Sequence, residues 1–317
     1  MPVRYARCAV ARISGTALVV AVAALALPAA AFAHGDEVSI SDLPSAWTAP
    51  PLVLIAAALA IALFAQAFVR LRRRGRADRA GWGRAALFAL GLAAAVLPLV
   101  SPLDAIGDEY LLSGHMLEHV LIGDLSPALL VLALRGPLGV FMLPPPVLGP
   151  LARFRPLRAL LGVLLRPWVT LSLWTAVILG WHIPSAYDYT LSHAAVHDLE
   201  HVLFVLVGTL AWIQLIDPLK HERLRVPGRI LFAVGMLALM HPVMDSMLFG
   251  DRPLYAPYAT QDERLFGLSA ITDQKIAGAV MMVEGLLTLG TCIGVLLWPY
   301  LRKRRAAAAL AEQREGA

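Results

Sequence analysis

Seven stretches of this chain are apolar over a length that matches the hydrocarbon thickness of a bilayer, about 30 Å. They lie at residues 50–69, 84–101, 111–134, 167–187, 196–216, 229–249 and 276–299. The chain is 59% hydrophobic and 15% charged, whereas soluble domains are about 45–50% apolar and about 25% charged. A disordered chain would instead have low hydrophobicity and high charge. The sequence therefore predicts an all-α integral membrane protein, with a seven-transmembrane helix bundle over residues 50–300.

The first 33 residues have the three parts of a secretory signal peptide. These are a basic start with Arg4, Arg7 and Arg12, an apolar centre at 16–30, and an A-x-A ending at 31–33. Cleavage after Ala33 would leave His34 as the first residue of an extracytoplasmic segment, 34–49. An uncleaved first helix fits the same residues, and both interpretations stay open.

The basic residues predict the orientation of the bundle. Of 27 Lys and Arg residues, 3 lie in the leader, 21 fall on one side of the spans and 3 (Arg252, Arg264 and Lys275) fall on the other. The positive-inside rule then gives N-out/C-in topology with a cytoplasmic basic tail at 301–317. The proline-rich stretch 136–166 is predicted to be a cytoplasmic loop with an amphipathic segment on the inner face. Membrane topology explains this distribution of basic residues, so we expect no nucleic-acid partner.

Seven of the nine histidines fall at one level of this topology, at or just below the outer surface. They are His115, His119, His182, His193, His197, His201 and His241. Ionisable groups within spans are rare and usually functional, because they must be paired or face a cavity. The sequence therefore predicts a metal site at the extracytoplasmic face.

Two copies of an H-x-x-E-H motif, each followed by Val-Leu, begin the third and fifth spans. One copy runs from His115 to His119, and the other from His197 to His201. Helix positions i and i+4 share a face, so each pair can hold one ion. The string also matches the inverzincin signature, in which the glutamate is the catalytic base. For any single histidine, a hydrogen bond to a backbone carbonyl remains the alternative.

Further candidate ligands lie at the same depth. His193 precedes the second motif by one turn, His182 stands two residues before Pro184, and Asp245 shares a helix face with His241. The outer loops add carboxylates at Asp104, Asp108, Glu109, Asp188 and Asp273, and Glu284 lies deeper in the last span. Glu118 and Glu200, inside the two motifs, are expected to support the ligands.

The ligand types leave the choice of metal open. Imidazole suits zinc, copper and iron, while thioether sulfur selects reduced copper. Met116 and Met244 are possible thioether ligands, although methionine is also an ordinary filler of helix packing. We expect the site to bind copper. Zinc is an alternative, and haem is a weaker alternative.

Three segments resemble the CtaG family of cytochrome c oxidase assembly factors, in its caa-type branch. They are Gly-His-Met-Leu-Glu-His from Gly114, Gly-Trp-His-Ile-Pro from Gly180, and His-Asp-Leu-Glu-His-Val-Leu-Phe from His197. The resemblance covers residues 45–300. It implies a multi-pass bacterial plasma-membrane protein that helps to mature a haem-copper oxidase by delivering or inserting copper, with oxidase subunits as partners. The candidate metal-site residues it supports are His115, His119, His182, His197, His201 and His241.

Three functions follow as hypotheses. The first is a non-enzymatic assembly factor that binds copper with the outer histidines and helps to metallate the oxidase. The second is a membrane-embedded zinc hydrolase, in which Glu118 or Glu200 acts as base on a zinc-bound water. The third is a b-type haem protein with histidines of two facing helices as axial ligands. The first is preferred, and it predicts no catalytic residues.

Overall fold

The computed structural model describes residues 38–220 and 223–315, and every regular element in these ranges is helical. The longer helices are α1 (Pro51–Arg73), α2 (Trp82–Val100), α3 (Leu112–Ala133), α4 (Pro145–Arg153), α5 (Arg155–Leu164), α6 (Pro167–Trp181), α7 (Pro184–Leu191), α8 (Ala194–Ile216), α9 (Val226–Phe249) and α10 (Ala270–Glu315). Short turns of helix occupy Leu43–Ser45, Ala77–Arg79, Pro102–Ala105, Ile106–Tyr110, Pro137–Phe141, Ala256–Ala259 and Leu265–Gly267. The predicted all-α class is confirmed. The predicted leader and His34 lie outside the described residues.

Six helices are long and apolar enough to cross a membrane. They are α1, α2 with the turn that precedes it, α3, α8, α9 and the part of α10 up to Arg302. The pair α5 and α6 passes the same test together but is bent by 76°. The bundle therefore has six candidate spans, or seven when the bent pair is counted as one. The seven-span count and the N-out/C-in orientation remain predictions.

The fourth predicted span, 167–187, is shorter in the structure. Helix α6 ends at Trp181, and Ile183 is extended, with φ −65° and ψ 125°. Pro184 explains this break, because a proline disfavours helical geometry in the residue before it. The 15 residues of α6 rise about 22 Å, less than the hydrocarbon thickness of about 30 Å. The predicted loop 136–166 forms Pro137–Phe141, α4 and α5.

Helices α3 and α8 form the centre of the bundle. Their apolar windows are 61% and 56% buried, against at most 28% for the other four candidate spans. Helix α3 packs against α2, α8 and α10, while α8 also packs against α6. The peripheral helices expose large apolar side chains such as Ile55, Leu231 and Trp298, which suits a lipid environment. The two H-x-x-E-H motifs therefore lie on the two most enclosed helices.

A glycine contact brings α3 and α8 unusually close. A Cβ placed on Gly208 of α8 would lie 1.8 Å from the carbonyl oxygen of Gly123 on α3. Gly123 lies in a π-helical turn, Leu121–Leu125, and Pro127 has no N–H to donate to that carbonyl. Only a residue without a side chain allows this approach.

Below the motifs, the side chain of Asp124 joins three helices. It accepts hydrogen bonds from Trp212 Nε1 on α8 at 2.7 Å and from Thr288 Oγ1 on α10 at 2.6 Å. Both donors satisfy a carboxylate that would otherwise be costly to bury. The π-helical turn that carries Asp124 is thereby fixed between α8 and α10.

Candidate metal centre

The two motifs occupy the first turns of the two central helices. Leu111, with φ −129° and ψ 116°, precedes α3, and His193, with φ −140° and ψ 91°, precedes α8. The helical spacing of four residues then places His115 above His119 and His197 above His201, each pair on one face. Because α3 and α8 lie side by side, the two pairs face each other.

The four imidazole rings form a near-rectangle. The ring centroids within each motif are 4.2 Å apart, for His115 with His119 and for His197 with His201. Across the helices, His115 lies 5.1 Å from His197 and His119 lies 5.2 Å from His201. The diagonals are 6.3 and 6.5 Å. Each of the two sequence motifs thus contributes one pair of neighbouring histidines to the site.

This arrangement could hold a single metal ion. One nitrogen from each of the four histidines lies within 4.8 Å of the others, while four nitrogens around a tetrahedral ion are about 3.3 Å apart. Binding of an ion would therefore draw the four rings closer together. Nε2 of His115 and both ring nitrogens of His119 are buried without a hydrogen-bond partner. Buried imidazole nitrogens normally have partners, so the donor set fits a metal ion.

Two carboxylates contact the ring nitrogens from outside the rectangle. Asp108 lies 3.3 Å from His115 Nδ1 and 3.7 Å from His197 Nδ1, so it links the two motifs. Glu118 of the first motif lies 3.4 Å from His201 Nε2 of the second. Carboxylates that contact the second nitrogen of a histidine orient its ring and raise its basicity as a ligand. Glu200 is fully buried as well.

The carboxylates between α2 and α3 differ in charge state. Burial raises the pKa of Asp104 to about 8, assisted by the negative charge of nearby Asp108. Burial alone would also raise the pKa of Asp108, but the facing His197 and His115 outweigh it, so this pKa falls below its ordinary value. Asp108 is therefore ionised beside the histidines, while Asp104 holds a proton at neutral pH.

Three buried tyrosines adjoin the cluster, and no sequence motif pointed to them. The ring of Tyr187 lies 5.2 Å from His115 and 4.1 Å from the ring of Tyr255. Tyr258 donates a hydrogen bond to the carbonyl of Gly107 at 2.7 Å, one residue before Asp108. These residues come from α7 and from the loop between α9 and α10. They enclose the His115 side of the cluster.

His182 lies outside the rectangle but is also buried. Its Nδ1 is 2.7 Å from the carbonyl oxygen of Ile178, and its Nε2 is buried without a hydrogen-bond partner. The ring of Phe204 lies 4.7 Å from His119 and 6.4 Å from His182. The predicted histidine at the break before Pro184 thus adjoins the cluster without joining it.

The remaining predicted ligands lie apart from the four histidines. His193 is exposed, stacks on Tyr189 at 3.8 Å and contacts Ser192 Oγ at 3.0 Å. His241 contacts Asp245 at 3.7 Å, and both side chains are more than half exposed. They share a face, as expected from their spacing, but it is an outer face of α9.

The two predicted methionines are both buried. Met116 and Met244 belong to one apolar cluster with Tyr187 and Tyr255. Met116 also borders a cavity behind His119, whose lining contains Met240 and Met281. Met244 does not line that cavity.

The fold and the site define a polytopic α-helical membrane protein with a buried four-histidine centre at one end of its two central helices. The chain belongs to the cytochrome c oxidase caa3 assembly factor family (Caa3_CtaG), whose family model matches residues 62–303. The match includes both motifs and confirms the resemblance expected from them. Searches of curated proteins and of solved structures gave no match.

Proposed function

We propose that this protein is an assembly factor that binds copper at the four-histidine centre and passes it to an apo-subunit of a haem-copper oxidase. The observation that carries the proposal is the group of His115, His119, His197 and His201, whose ligand atoms lie within 4.8 Å of one another. The family supplies the role in oxidase assembly. The metal and the transfer step are our inference.

The donor set supports copper as cargo. Four imidazoles suit copper or zinc, and Asp108 supplies negative charge beside them. Transfer requires ligands that can be exchanged one at a time, and histidines on two separate helices meet that requirement. The predicted topology places this end of the bundle at the extracytoplasmic face of a bacterial plasma membrane.

The other two hypotheses have weaker support. A catalytic zinc site keeps three protein ligands and one open position, whereas four histidines converge here. A haem pocket needs a volume of a few hundred Å³. Two cavities that border the histidines have volumes of about 100 and about 50 Å³.

Metal analysis of the purified full-length protein tests the proposal. We expect bound copper in the wild type and its loss in the double variant His119→Ala, His201→Ala. The matched control is His241→Ala, which removes an exposed histidine outside the centre and should keep the copper. Stoichiometric zinc with no retained copper would contradict the proposal, as would full copper binding by the double variant.

Genetic complementation tests the assembly role. Deletion of the gene should lower the activity of the haem-copper oxidase, and added copper should restore part of it. Wild-type protein and the His241→Ala control should complement the deletion, whereas the double variant should not. Normal oxidase activity in the deletion strain would refute the role.

A further inference from the structure

The cavity behind His119 has the lining of a soft-metal site. It lies between α3, α6, α8, α9 and α10, and its volume is about 50 Å³. A cavity needs only about 10–15 Å³ to hold a water molecule, so an ion fits. Its lining includes the thioethers of Met116, Met240 and Met281 together with His119 and His182. These residues come from three different helices, α3, α9 and α10, and from the end of α6, and no single motif contains them.

The histidines of the cavity are buried and have ring nitrogens without partners. His119 is 6% exposed and His182 is 8% exposed. Since His182 Nδ1 contacts the Ile178 carbonyl, it carries the ring proton, and Nε2 keeps its lone pair. A carbonyl contact of this kind is typical of a histidine that ligates a metal through its other nitrogen.

The lining also contains two neighbouring carboxyl groups, those of Asp124 and Glu284. Glu284 lies on α10, and its Oε1 is buried without a hydrogen-bond partner. The neighbouring Asp124 is already bonded to Trp212 and Thr288. Acidic groups within spans require compensation, and a cation in this cavity would provide it.

We propose that this cavity is a second copper site, specific for Cu(I), formed by His182 Nε2 and the thioethers of Met116, Met240 and Met281. Soft thioether ligands select Cu(I) over zinc and Cu(II). His119 borders both this cavity and the four-histidine centre, so an ion can move between the two sites across one side chain. The ion remains Cu(I) throughout, and no electron transfer is involved. The inference rests on the proposed copper function and adds an oxidation state and a second binding step to it.

Anaerobic titration of the purified full-length protein with Cu(I), against a chromophoric chelator, tests the second site. The wild type should bind two Cu(I) ions per chain. The double variant Met116→Leu, Met281→Leu should bind one, because leucine keeps the side-chain volume and removes the sulfur. His182→Ala should also bind one. Met236→Leu is the control, since Met236 is fully buried on α9 but does not line the cavity.

X-ray absorption at the copper edge identifies the ligands. The wild type loaded with two ions should show sulfur neighbours, and the methionine double variant should show nitrogen neighbours alone. Zinc binding should be the same in both proteins, which demonstrates that the variant is folded. One Cu(I) ion bound by nitrogen alone in the wild type overturns the second site and leaves the proposed function standing. A wild type that binds no copper overturns both.

Discussion

Asp273 on α10 accepts a hydrogen bond from the backbone N–H of Leu112 at 2.7 Å and so caps the helix that carries the first histidine pair. The same carboxylate accepts a second bond from the N–H of Ser113 at 3.1 Å. Leu111, the residue before the helix, makes no side-chain cap. A negative charge at a helix N-terminus is favourable. The position of His115 and His119 is therefore set by a residue about 160 positions later in the chain.

Replacement of Asp273 should loosen the first histidine pair. Asp273→Ala leaves two N–H groups without their acceptor at a site where the side chain is 3% exposed. The expected loss is about 1–3 kcal/mol of stability, together with weaker metal binding. Thermal unfolding in detergent and a metal titration measure the two effects. Asp262→Ala, at an exposed loop position, is the control; equal results for the two variants would contradict the capping role.

Gly208→Ala should separate α3 from α8. The added methyl group would lie 1.8 Å from the Gly123 carbonyl oxygen, so the helices must move apart and the two histidine pairs with them. Overpacking of this kind costs about 1–3 kcal/mol. We expect a lower unfolding temperature and reduced metal affinity. Gly290→Ala is the control, because nothing lies within 4 Å of its added Cβ. A Gly208→Ala protein with wild-type metal affinity would show that this approach does not set the site.

Local periodicity explains why the sequence predicted the histidine pairs. The i, i+4 spacing fixes His115 beside His119, and His197 beside His201, once each segment is helical. The contacts of Asp108 with both motifs could not be predicted in this way. They depend on how the turn Ile106–Tyr110 packs against α8, which is a tertiary relationship.

Depth in the membrane does not determine which way a helix face points. Hydropathy places His241 at the level of the other histidines, yet the structure turns it to an outer face of α9 beside Asp245. His193 precedes the first residue of α8, so the helical spacing that relates His197 to His201 does not extend to it. The rotation of each helix about its own axis follows from its packing against neighbouring helices. It cannot be deduced from a single sequence.

Asp108→Asn should weaken metal binding without unfolding the protein. The amide keeps the shape of the carboxyl group but removes the charge that faces His115 and His197. Loss of such an outer contact typically reduces metal affinity about 10–100-fold. Competition titrations with copper and with zinc measure the change. Asp251→Asn, at an exposed position, should have wild-type affinity. An unchanged affinity in Asp108→Asn would exclude a positioning role for this carboxylate.

Asp104→Asn should change how stability depends on pH. The folded-state pKa of Asp104 is about 8, whereas an unfolded aspartate has a pKa of about 3.9. Between these values the folded protein binds more protons, so the free energy of unfolding falls as pH rises. The variant lacks this pH-dependent contribution of Asp104 to stability. The difference between its unfolding temperature and that of the wild type should therefore shift in favour of the variant from pH 5 to pH 8. The metal-free proteins should be compared by circular dichroism. Asp262→Asn should show a constant difference, and a constant difference for Asp104→Asn as well would mean that Asp104 is ionised in the folded protein.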